Sequence, residues 1–165
     1  MSIELAKQFH AAHVEPLIGT PVGASEAEVR KLERELQLRL PQSYRDYLLW
    51  MGKDQNGILR GSDWFIYSVS SNKEVLVDML EEDGIEYSVK QSHVVFFSHQ
   101  GYMPAWFDAD SASEDPPCWI LNGDPTAVRP TGNFSTALLD EIRRGYEGLK
   151  LIRDNPRLAA SLGFR

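Results

Sequence analysis

Residues 25–50 read SEAEVRKLERELQLRLPQSYRDYLLW, and this stretch decides the fold. Ser25 with Glu28 has the form of a capping box, in which the hydroxyl accepts from a free first-turn N–H and the glutamate reaches back to the cap N–H. Val29, Leu32 and Leu36 then share one face, with Arg30, Lys31, Glu33, Arg34 and Glu35 on the other. That is the pattern of an amphipathic helix. Leu40-Pro41 ends it, because proline disfavours helical backbone in the residue before it. Pro41 also suits the first turn of a second helix. Tyr44, Tyr47, Leu48 and Met51 form its apolar stripe, and Gly52 is its stop. Val29, Leu32, Leu36, Leu40, Tyr47 and Leu48 are therefore expected in a core that packs both helices on one side of a sheet. On that expectation Leu36→Ala costs about 2–5 kcal/mol if the site is fully buried.

Upstream, Ile3, Leu5, Ala6, Phe9 and Ala12 predict a short helix over 2–12. Pro16, Gly19, Pro21 and Gly23 predict an irregular linker over 14–23. Downstream, Gly57 to Gly61 reads as a turn and Trp64-Phe65-Ile66-Tyr67 as a strand. Val75, Leu76, Met79 and Leu80 predict a helix over 71–83 that stops at Gly84. From His93 the period changes. Residues 93–97, 103–107 and 118–121 are short aromatic and β-branched runs set between turn residues, and Thr126 to Arg129 adds a fourth strand. Connections this short leave no room for helical crossovers, so the strands form an antiparallel meander. Phe134 to Tyr146 reads as a closing helix, with a further helical stretch around Leu149 to Ile152. The expectation is an α+β fold, a meander packed by N-terminal and C-terminal helices, in a single domain over 1–165. Trp106 and Phe107 are strand neighbours and must face opposite sides of the sheet. One of them needs a helix outside the main core to cover it.

The 165 residues are 42% hydrophobic and 25% charged, which excludes a disordered chain. Lys plus Arg number 17 and Asp plus Glu 24, a net charge of -7, which argues against direct nucleic-acid binding and suits a basic protein partner. The imbalance is local. Residues 71–124 hold 2 basic and 11 acidic side chains, hence -9, while residues 125–165 hold 7 basic and 4 acidic, hence +3. The lone cysteine, Cys118, can make neither an intramolecular disulfide nor a thiolate cluster, and its apolar surroundings read as a buried, inert site. No apolar run approaches the roughly 20 residues of a membrane span, and residues 1–13 lack a signal-peptide pattern, so a cytoplasmic protein is expected.

Signatures of known chemistry are missing. There is no GxxxxGK[ST] or GxGxxG phosphate loop, no GxSxG elbow and no HExxH. His10 and His13 on a short helix read as bystanders, and His93 and His99 have no sequence-level claim on Cys118. Asp108-Ala109-Asp110 opens like a calcium loop but lacks its glycine and closing glutamate. No catalytic residue, cofactor or metal is expected.

The helical stretch resembles the signature of the SUKH superfamily, which groups Smi/Knr-type cell-wall synthesis regulators with bacterial toxin-immunity proteins. Glu33 takes the glutamate position, Leu40-Pro41 the Leu-Pro step, and Tyr44, Tyr47 and Leu48 the second helix. Asn56-Gly57 matches the following turn, Trp106-Phe107-Asp108 the acidic end of a strand, and residues 133–139 the closing helix. The resemblance covers about 24–140, leaving a helical extension over 1–23 and a tail over 150–165. It departs at the longer turn over 52–57 and at helix 71–83, which reads as an acidic insertion. It implies a SUKH-like fold and a non-enzymatic protein-binding module, an immunity protein that neutralises a basic toxin domain such as a nuclease. Two alternatives stand beside it, a regulatory scaffold and an enzyme or small-ligand binder with a sheet pocket near Trp106, His99 and Asp108. The expected partner-binding residues are Glu81, Glu82, Asp83, Asp108, Asp110, Glu114 and Asp115 as a negative rim, with Tyr102 or Trp106 as aromatic anchor. The oligomeric state stays open.

Overall fold

The computed structural model describes residues 3–122, 128–155 and 157. Helices α1 (Glu4–Phe9) and α2 (Glu15–Ile18) are joined by a π-helical turn over His10–Val14. The irregular segment expected over 14–23 therefore begins late. Pro16 follows directly on the π-turn inside the helical run, where the bonding is already irregular, and the helix ends only at Gly19, φ +88°. Helix α3 (Glu26–Leu36) opens on the capping box: Glu28 N–H donates to Ser25 Oγ at 3.2 Å, and Ser25 N–H donates to the Glu28 carboxylate at 2.8 Å. Glu33 then accepts from Leu40 N–H at 3.0 Å and pairs at 2.7 Å with Arg45 of α4 (Gln42–Met51). One carboxylate thus holds the Leu-Pro step to both helices. Where the chain enters α3 it runs against α4, and a Cβ on Gly23 would lie 1.8 Å from the Leu49 carbonyl oxygen. Only glycine fits there.

Strands β1 (His93–His99), β2 (Tyr102–Asp108), β3 (Pro117–Leu121) and β4 (Val128–Asn133) form an antiparallel meander in that spatial order. The fold is α+β, as the sequence pattern predicts. Strand β4 runs further than expected, to Asn133, and Thr126 and Ala127 lie outside the described residues. No strand forms at 64–67; that segment is a series of turns. Its aromatic composition serves burial instead, with the Trp64 ring 5.3 Å from Phe96 and 5.2 Å from Phe97. The two helical stretches expected after Phe134 are one helix, α6 (Phe134–Arg153). Gly145 and Gly148 weaken it by about 1 kcal/mol each relative to alanine. Tyr146, between them, packs on Phe9 at 5.7 Å and His13 at 5.5 Å and holds the helix through that stretch.

The sheet is apolar on both faces. Val94, Phe96, Phe107 and Cys118 join the main core with Tyr44, Tyr47, Phe134 and Leu138 of the flanking helices. Val95, Trp106 and Leu121 face the other way, beneath Leu76 and Leu80 of α5 (Val69–Glu82). Cys118 is wholly buried, and burial pushes its thiol pKa up, away from thiolate chemistry. Val29, Leu32, Leu40, Tyr47 and Leu48 are buried as expected. Leu36 is only half-buried at the end of α3, so truncating it to alanine falls short of the full-burial range.

The loop between β2 and β3 closes two helices at once. The Glu114 carboxylate accepts from Gln42 N–H at 2.9 Å, and its carbonyl from Ser43 N–H at 2.9 Å, at the start of α4. Asp115 accepts from Ser135 N–H at 2.9 Å and from the Ser135 hydroxyl at 2.6 Å, at the start of α6. Because Asp115 is buried, its loss leaves donors unpaired. Asp115→Ala should lower the unfolding free energy by about 1–3 kcal/mol in urea titrations. A change below about 0.5 kcal/mol would show that the cap is replaceable by water.

Candidate partner-binding face

Helix α5 turns Val69, Asn72, Leu76 and Leu80 inward, at helical spacing. Glu74, Asp78, Glu81 and Glu82 consequently line its outer face and are exposed. The helix ends in a left-handed glycine, Gly84 at φ +63°, with Gly84 N–H donating to Glu81 O at 3.2 Å and Ile85 N–H to Leu80 O at 2.9 Å. This pair of bonds is the Schellman arrangement, which turns the chain back over the sheet. Along 85–89 the side chains alternate, with Ile85, Tyr87 and Val89 half-buried and Glu86 exposed. Tyr87 lies on Trp106, ring centres 5.3 Å apart, and the Trp106 Nε1–H donates to its hydroxyl at 3.1 Å. A groove of about 540 Å³ runs between α5 and this segment, floored by Val77, Leu80, Ile85 and Val89 and edged by Glu81 and Glu86.

The electrostatics of that groove are one-sided. None of Glu74, Asp78, Glu81, Glu82, Asp83 and Glu86 is ion-paired among the described residues. Lys73, the one cation on α5, spends its ammonium on the Lys90 and Gln91 carbonyls at 3.0 and 2.9 Å. Glu81, Glu82 and Asp83 also sit at the helix C-terminus with no basic residue in the last turn, where the macrodipole disfavours negative charge. Helix stability does not account for carboxylates placed there.

The other expected site residues are dispersed. Asp108 is bound to Lys90 at 2.8 Å and accepts from Asp110 N–H at 3.1 Å. Burial pushes its pKa up, but hydrogen bonds from Lys90, Ser92 and Asp110 outweigh this and hold it at about 2. His93 lies 3.9 Å from Asp108, and its pKa is lowered chiefly by burial, against the pull of that carboxylate. Asp110 is exposed beside this cluster. Glu114 is exposed but committed to α4, with Arg39 3.9 Å away. Asp115 is 4% exposed and belongs to the α6 cap, so it contributes nothing to a negative rim. Trp106 is 0% exposed, sealed by Tyr87 and α5, and cannot serve as a surface anchor. Tyr102 is 44% exposed but begins β2, at the end opposite Asp108 and about 20 Å along the strand. The sheet pocket expected near Trp106, His99 and Asp108 does not form, because His99 pairs with Tyr102 and Asp108 with His93 at opposite ends of the hairpin. Glu74, Asp78, Glu86 and the groove floor lie outside the rim expected from the sequence, although the four-residue spacing of Glu74, Asp78 and Glu82 marks one helix face.

The family model for the SMI1 / KNR4 family (SUKH-1) matches residues 23–141. The chain belongs to that family. The match begins at the glycine that crosses α4 and ends within α6, so it contains both aromatic layers and the acidic helix. No curated protein matches the chain. Among the described residues no SUKH helix is long and apolar enough to cross a membrane.

The Asp108 cluster has a pH signature. Its pKa is depressed in the folded protein, so the stabilisation is complete above the unfolded value near 4 and is lost as pH falls toward 2. Urea midpoints measured from pH 5 to pH 2 should therefore fall more steeply for the wild type than for Asp108→Asn. Parallel curves would mean that the Lys90 contact does not shift the carboxylate.

Proposed function

We propose that this SUKH domain is a protein-binding module that takes a basic partner on the outer face of α5, and that it acts as an immunity protein masking a cationic toxin domain. The observation that carries this reading is the row of unpaired carboxylates on α5, set against the helix dipole and bordering an apolar groove. A toxin that cleaves or binds phosphate chains has a positive surface. Unpaired surface charge raises the encounter rate with such a partner, within the reach of a Debye length of about 8 Å at physiological salt. Glu81, Glu82 and Asp83 steer, with Glu74, Asp78, Glu86 and the exposed Asp110 extending the field. Val77, Ile85 and Val89 offer an apolar floor for an anchoring side chain. Trp106 acts from below, by fixing Tyr87 and α5, and makes no contact with the partner.

The test is association of the purified protein with basic nuclease-toxin domains, followed by stopped flow across a salt series. The variant Glu81→Lys/Glu82→Lys/Asp83→Lys should associate at least tenfold more slowly at low salt and show a flatter salt dependence. Its melting temperature should hold or rise slightly, since lysines at a helix C-terminus favour the dipole. An unchanged association rate in a folded triple variant would overturn the assignment of this face.

A further inference from the structure

The N-terminal helical run precedes the family match over 23–141, and one stripe of side chains holds it down. Ile3, Ala6, His10 and Val14 recur at helical spacing and are buried. No hydrogen bond or ion pair between described residues joins 3–19 to the rest of the chain. The first backbone ties come later, where Val22 O accepts from Lys53 N–H at 3.0 Å and Ala24 N–H donates to Leu48 O at 2.8 Å. Gly19, in the left-handed region, stands between the run and those ties. Side-chain packing alone therefore keeps residues 3–19 in place.

His10 is the one polar member of the stripe. It sits in the π-helical turn, edge-on to the Trp50 ring at 5.4 Å, and neither ring nitrogen has a hydrogen-bond partner among the described residues. A neutral imidazole can be packed there, but an imidazolium brings a charge and two donors into a site that answers neither. Burial accordingly lowers the His10 pKa, and Glu15 pulls it back only in part. The other charged neighbours add no relief. Lys7 of α1 lies over Trp50 at 6.0 Å and Arg143 of α6 over Phe9 at 5.5 Å, both cations. On α4, Arg45 is bound to Glu33 and Asp46 to Gln42. His13 and Tyr146, 5.5 Å apart, complete the titratable groups of this layer.

We propose that residues 3–19 form a strap that mild acid releases from the SUKH domain, with protonation of His10 as the trigger. The proton is unpaired when the strap is closed and solvated when it is open. Stability of the closed strap is therefore complete above about pH 6.5, the value of a free imidazole, and is lost as pH falls below it. Release uncovers Trp50 and Tyr146 on α4 and α6, on the side of the sheet away from α5. The strap does not depend on the partner-binding reading.

Amide exchange of the full chain from pH 7.5 to pH 5, corrected for the intrinsic pH dependence of exchange, tests the strap. Protection over residues 3–18 should be level above pH 7 and then fall, approaching tenfold per pH unit below about pH 6, the limit for one proton. At pH 5.5 these amides should be at least tenfold less protected than those of α4 and β2, as local opening of a folded domain requires. His10→Phe keeps a ring against Trp50 and takes no proton, so its profile over 3–18 should be level. His10→Gln, also uncharged, decides the matter should that variant fail to fold. His13→Gln and His93→Gln, which remove the neighbouring and the other buried histidine, should each keep the wild-type fall. A level wild-type profile, a fall that persists without His10, or strap protection equal to that of α4 and β2 at pH 5.5 would overturn the proposal.

Discussion

Trp106 and Phe107 are adjacent near the Asp108 end of β2, in regularly paired strand, where neighbouring side chains point to opposite faces of the sheet. Everything else in the architecture follows from covering both. Phe107 is met by Tyr44 and Phe134, at 5.2 and 6.0 Å between ring centres, and this side recruits α3, α4 and α6. Trp106 leaves an indole on the far face, whose exposure would waste one of the largest apolar burials a side chain can supply. Helix α5 and the chain returning over 85–89 cover it, and Tyr87 satisfies its N–H. The acidic helix is thus a structural necessity on its inner side and free to vary on its outer one. A binding face on such a helix is rigid because a buried layer lies directly beneath it, and rigidity is what keeps a pre-formed interface inexpensive to dock.

The parts of the fold that were legible in the sequence are those in which local chemistry and tertiary packing agree. The capping box, the Leu-Pro step and the aromatic stripe of α4 all act within a few residues of themselves, and Glu33 reinforces them by gripping Leu40 and Arg45. The meander was legible because its turns are short and its strands aromatic. Where tertiary packing overrides local signals, the reading failed. Trp64 to Tyr67 has strand composition, but β1 already has β2 on one side, and on its other edge Ser98 O accepts from Asp63 N–H at 2.7 Å. Those aromatics fill the core from turns. Gly145 and Gly148 look like a break in α6, and the N-terminal helices packed on Tyr146 remove it.

The candidate face was half legible for a related reason. A charge count over 71–124 finds the right helix but cannot separate carboxylates with structural duties from those without. Asp115 is spent on Ser135, Glu114 on the start of α4, and Asp108 on Lys90. Each of these interactions spans a sequence separation that no local pattern reveals. What remains is the α5 row, readable in hindsight from the spacing of Glu74, Asp78 and Glu82. Trp106, expected at the surface, lies in the layer beneath that row. Family membership fixes the scaffold and leaves the partner to the surface, since one scaffold carries different sites in different members.

The central claim is that α5 from Leu76 onward is held by the Trp106 layer, while Val69 anchors its start in the main core. Amide hydrogen exchange of the wild type and of Trp106→Leu tests it most directly. The account predicts faster exchange for the amides of α5 and of residues 85–89, with α4 and α6 unchanged, because losing the indole loosens only the layer above it. Equal loss of protection across α4, α5 and α6 would contradict it, as would an α5 that keeps full protection without the tryptophan.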